Sequence, residues 1–128
     1  TCDAHAALAA ATAAMTTDPP YGATVTVTGD WAATGWNAPA TAPWLADAVE
    51  AASQDAFGAP AAAMGEGGTI PFMAMLGERF PAAQFLVLGV LGPGSNAHGP
   101  NEFLDLGMAR GLTAAVAHIL DRHAGRDR

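Results

Sequence analysis

The sequence predicts an α/β fold in which helices flank a sheet, and three observations carry that expectation. Residues 84–91 form an uninterrupted apolar run of strand length, from Gln84 through Phe85, Leu86, Val87 and Leu88 to Leu91, the pattern of a strand buried on both faces. Residues 23–28 alternate Thr and Val, which is the period of a half-buried strand with Val25 and Val27 inward. The other apolar residues recur at helical spacing in four separate stretches.

Taken in order, residues 3–16 are alanine-rich, with Leu8, Ala11 or Thr12, and Met15 at helical spacing and Asp3 as the N-cap. Pro19, Pro20 and Gly22 cannot continue that helix. The Thr-Val strand follows and is broken at Gly29 and Asp30. Residues 31–41 show only small punctuated stretches (Thr34 and Gly35, Asn37, Pro39) and read as a linker. A second helix spans 43–57: Trp44 and Ala48 lie on one stripe, Leu45, Val49, Ala52 and Ala56 on its neighbour, and Gly58 supplies the stop. The third helix runs over 69–80 with Ile70, Met73, Leu76 and Phe80 inward, and Pro81 closes it. After the buried strand and a loop, Leu104, Met108, Leu112, Ala115, Val116 and Ile119 mark a final helix that ends near Arg122 before a polar, frayed tail.

A chain of 128 residues is long enough for one ordinary domain, and its start on Thr1 leaves room for it to be part of a longer protein. Much of its 51% hydrophobic content is alanine, so the core depends on few large side chains. All five cations are arginine, and twelve carboxylates bring the net charge to −7. Such a balance repels phosphate backbones and argues against nucleic acid as a partner. No apolar run approaches the ~20 residues of a membrane span, and no basic amphipathic face is present; a soluble, cytoplasmic protein without a membrane partner is expected. Cys2, the single cysteine, can form no intrachain disulfide and gives no metal-ligand spacing.

Two short stretches could carry chemistry. Gly67, Gly68, Thr69, Ile70 and Pro71 read as a loop entering a helix: Thr69 can cap it, Pro71 fits its first turn, and the glycines let backbone approach a ligand. Free N–H groups and the helix dipole there favour a carboxylate or phosphate, although the same pattern also serves a well-capped helix with no ligand. His98 lies between Ser95 and Pro100, directly after the apolar run. Open α/β sheets place ligands at the carboxyl ends of strands, which suits a metal- or substrate-binding histidine; a surface histidine without a role is the alternative. His5, His118 and His123 are assigned to surface or packing. Catalytic zinc needs about three protein ligands and an open position, and apart from His98 no histidine, cysteine or carboxylate grouping has ligand spacing. Ser53, Ser95 and Cys2 lack the context of a nucleophile.

With these elements in order, the chain resembles the C-terminal part of M20-family metallopeptidases, a group of carnosine-type dipeptidases, carboxypeptidases and amino-acid deacylases. Glu66, Gly67, Gly68, Thr69, Ile70 and Pro71, followed by the apolar run and then Asn96, Ala97, His98, Gly99, Pro100, Asn101 and Glu102, carry the resemblance, which extends over essentially the whole chain.

The resemblance implies a catalytic α/β domain interrupted by an α+β lid domain that mediates dimerisation. Residues 1–38 would be the last helix and strand of the lid, and 39–128 the C-terminal segment of the catalytic domain. It implies two divalent metal ions, zinc first, with manganese or cobalt as alternatives. His98 would be the last metal ligand and would also touch substrate. Glu66, Gly67, Gly68 and Thr69 would bind the substrate's carboxylate, and Asn101 and Glu102 would support the His98 loop. The general base and remaining ligands belong to the N-terminal part of such enzymes and have no counterpart here. The implied parent protein is a homodimeric hydrolase acting on small peptides or N-acyl amino acids, and this chain, without the missing N-terminal portion, is expected to be inactive. A non-catalytic binding or dimerisation module derived from the same fold is the competing reading.

Overall fold

The computed structural model describes residues 2–29, 31–65 and 71–126. Helix α1 spans Ala4–Thr16, a 3₁₀ turn spans Pro20–Gly22, and α2, α3 and α4 span Pro43–Phe57, Pro71–Arg79 and Leu106–Ala124. The chain divides into two compact units, Thr1–Ala38 with Glu66–Ala83, and Pro39–Gly65 with Gln84–Arg128.

In the first unit the Asp3 carboxylate accepts the Ala6 N–H at 2.7 Å and starts α1, satisfying one of the amides a helix start leaves open. Alanine gives this helix little to bury, and none of its residues is buried. Leu8 is its one strong anchor: a Cβ added at Gly29 would come within 2.8 Å of Leu8 Cδ2, so the backbone crosses the leucine where only glycine fits without displacement. Helix α3 is met by Trp36, whose Nε1 lies 2.9 Å from where a Cβ on Gly77 would stand.

The second unit is organised by α2 and α4. Pro43 occupies the first turn of α2, where its missing N–H costs nothing. Gln84 Oε1 accepts the Ala42 N–H at 2.6 Å at the same helix start. At the other end Gly58 adopts φ 65° and donates to the Gln54 carbonyl, the left-handed stop that glycine permits. Asp105 caps α4 by accepting the Met108 N–H at 2.9 Å, and Arg122 sits in its last turn, where a cation complements the dipole. Leu45, Ala48 and Ala52 of α2 pack on Ala115 and Ile119 of α4, flanked by Trp44, Val49 and Ala56. Their spacing places each set on one helix face, and the alanines leave room for close approach of the two backbones. Trp44 seals one end, with the His123 ring edge-on at a centroid distance of 5.2 Å and the Arg126 guanidinium 4.4 Å from its ring centroid.

The fold class read from the sequence is corrected here. Among the described residues there is no strand and no sheet, so neither the helix-flanked sheet of an α/β domain nor the closing strand of an α+β lid is found. Residues 23–28 and 84–91 are neither helix nor strand, and the side chains expected to be buried are open: Leu86 is 40%, Val87 57% and Leu88 50% exposed. The physical reason is that a strand is a paired object. Its backbone donors and acceptors need a neighbouring ladder, and an apolar pattern records what a segment is able to bury, not whether a partner stands beside it. Among the described residues, no helix is long and apolar enough to cross a membrane.

Candidate functional site

The residues between the apolar run and α4 build a closed loop with His98 at its tip. Four of them have positive φ: Gly94 (75°), Asn96 (54°), His98 (60°) and Asn101 (58°). For non-glycine residues this left-handed region is unfavourable, least so for Asn, and three such residues within six positions require a surrounding network to hold them. Ser95 donates its N–H to the Gly92 carbonyl at 3.2 Å, and its hydroxyl accepts the Gly92 N–H at 3.0 Å. The Asn96 amide donates to the Pro100 carbonyl at 2.5 Å, while the Gly99 N–H donates to the Asn96 carbonyl at 2.9 Å. The Phe103 N–H returns to the Ser95 carbonyl at 3.1 Å and closes the loop.

His98 is exposed. Its backbone N–H donates to Glu102 Oε2 at 3.0 Å, a charge-assisted bond. Glu102→Ala is expected to raise the exchange rate of the His98 amide by ~10-fold, the loss of about 1.5 kcal/mol for a bond to a charged acceptor; amide hydrogen exchange read by NMR checks it.

Of the residues singled out in the sequence, the structure brings Glu102 onto the His98 backbone and places Asn101 in the same loop, exposed and left-handed. Glu66, Gly67, Gly68 and Thr69 lie outside the described residues. The remaining histidines stand elsewhere: His118 Nδ1 is 3.7 Å from Asp55 Oδ2, His123 packs on Trp44, and His5 is an exposed residue of α1. Sequence reasoning passed over Ser95 and Asn96 as structural parts of the loop. A Ser/Asn pair beside Gly94, residue types that close turns on their own backbone and tolerate left-handed geometry, is the signal that could have found them.

Among the described residues no group of three or more His, Cys, Asp and Glu side chains could hold a metal ion. His98 fits the part of a single nitrogen donor on a fixed loop, and the described residues do not complete a catalytic metal site around it.

Comparison with known proteins gives two findings. The sequence model of Peptidase family M20/M25/M40 matches residues 1–122. A cysteinylglycine-S-conjugate dipeptidase of Corynebacterium striatum is 38% identical over 68 residues, which is 52% of this chain and 15% of that relative. The match therefore spans far less than two thirds of the relative's length.

Proposed function

This chain belongs to peptidase family M20/M25/M40, and on that premise we propose that it is the C-terminal part of a longer metal-dependent hydrolase cleaving an amide or peptide bond next to a free carboxylate. The observation that carries this reading is the family match over 122 of the 128 residues, within which the fixed His98 loop falls. In this reading residues 1–38 close the lid domain and 39–128 return to the catalytic domain. The relative's name specifies a dipeptidase, and a dipeptide presents its carboxylate beside a hydrolysable amide; N-acyl amino acids and the C-terminal ends of longer peptides share that chemistry, which keeps deacylase and carboxypeptidase specificities within the same proposal.

His98 would hold one of two divalent ions, zinc first. A bound divalent ion supplies Lewis-acid polarisation of the amide carbonyl. The chain's own residues do the rest of what is assigned to it. Glu102 accepts the His98 N–H and braces its backbone in the left-handed turn, and Asn101 would support the same loop. Glu66, Gly67, Gly68 and Thr69, which precede α3 in the sequence, would receive the substrate's carboxylate, the role the family resemblance implies for them. The general base and the other ligands would come from the preceding part of the protein, and the complete enzyme would be a homodimer.

Zinc calorimetry on this chain alone is expected to show only weak binding. Tight binding abolished by His98→Ala would overturn the assignment of the other ligands to a missing portion. The competing reading is a non-catalytic binding or dimerisation module. Adding the upstream portion, identified from the coding sequence immediately before Thr1, separates the two: recovery of amide hydrolysis defeats the non-catalytic reading.

A further inference from the structure

We infer that Ser95 is the positioning residue that aims the His98 imidazole, an inference that rests on the reading of His98 as a metal ligand. The exposed His98 ring is carried on a loop whose backbone sets where its Cβ projects and so which directions the ring can reach. That backbone runs through the left-handed region at Asn96, His98 and Asn101, and a return of any of them to ordinary negative φ redirects the chain and the ring with it. Something must hold the loop against that relaxation.

Three side chains are placed to do so, and burial separates them. Glu102 and Asn96 are exposed, so water competes for the bonds they make and softens the loss of either. Ser95 is 2% exposed and is the buried polar residue of the described structure. It grips the loop on both sides: hydroxyl and N–H bond Gly92 before it, and its carbonyl takes the Phe103 N–H after the tip. Removing the hydroxyl leaves the Gly92 N–H without that acceptor in a part-buried place, where an unmade bond is fully felt. Gly92 in turn lies against the Asp105 side chain that caps α4, with no room there for a Cβ. Ser95 thus couples the His98 loop to the start of α4, the helix that forms half of this unit's core.

The test compares Ser95→Ala with the parent chain by NMR. The expected result is at least tenfold faster exchange of the His98 and Gly99 amides and displaced His98 ring resonances, while the amides of α2 and α4 keep their protection. Unchanged His98 amide and ring signals overturn the inference. Collapse of the α2 and α4 signals along with the loop also overturns it, since Ser95 would then be a general core residue. In the reconstituted hydrolase, Ser95→Ala is expected to lower kcat by at least tenfold with KM changed less than threefold. If His98→Ala abolishes hydrolysis and Ser95→Ala leaves kcat unchanged, the positioning role fails; if His98→Ala itself leaves kcat unchanged, the metal-ligand reading fails and the positioning role falls with it, whatever the NMR shows for the loop.

Discussion

Leu45→Ala is expected to destabilise the second unit by about 2–5 kcal/mol, the range for emptying a well-packed leucine site. Leu45 is 3% exposed, and of the five buried core residues among those described only it and Ile119 are larger than alanine. Since small domains hold only about 5–15 kcal/mol in total, one truncation removes a large share of what keeps α2 on α4. Urea unfolding followed by far-ultraviolet circular dichroism checks this through the shift in midpoint. Ile119→Ala is the matching probe on α4, and the double variant should fall short of additivity because both side chains share one cluster. Leu88→Ala serves as the control. The apolar pattern of residues 84–91 makes Leu88 a core residue of a sheet, whereas its 50% exposure limits the expected cost to about 0.5 kcal/mol. A Leu88 effect as large as that of Leu45 would contradict the helix-pair core.

That contrast shows where the sequence was legible. Helix signals are local: Asp3, Pro43 and Gly58 act on backbone within a few residues, and the periodic stripe through Leu45 and Ala52 identifies the buried face of α2 without reference to its partner. A strand offers no such closure. The Thr-Val alternation of 23–28 and the run of 84–91 are local patterns whose hydrogen bonds must be made by distant chain, and the sequence of the segment itself does not contain that partner. The candidate site divides along the same line. His98 could be named from its residue type and its place after the apolar run, and Glu102 from the family resemblance, but the role of Ser95 depends on burial, and that of Asn96 on a left-handed turn closing onto Pro100. Neither is visible until the loop is folded back on Gly92 and Phe103.

His98→Ala is expected to have the largest functional effect, lowering kcat of the reconstituted hydrolase by more than the ~10–100-fold typical of losing an outer partner of a metal site. An exposed histidine at φ 60°, held by a carboxylate on its own N–H, occupies an uncommon conformation that the turn around it maintains. Alanine in the same turn leaves the Glu102 bond to the backbone available while removing both ring nitrogens, so the change isolates the donor from the loop that carries it. His98→Gln provides the graded comparison: it restores a neutral polar group of similar reach but no imidazole, and partial recovery is expected only if hydrogen bonding to substrate, more than metal ligation, is what the ring provides. Metal content by atomic spectroscopy decides between those roles, since a lost ligand lowers bound metal along with kcat, whereas a lost substrate contact raises KM at full metal occupancy. Wild-type kcat, KM and metal content in His98→Ala would remove His98 from the site altogether.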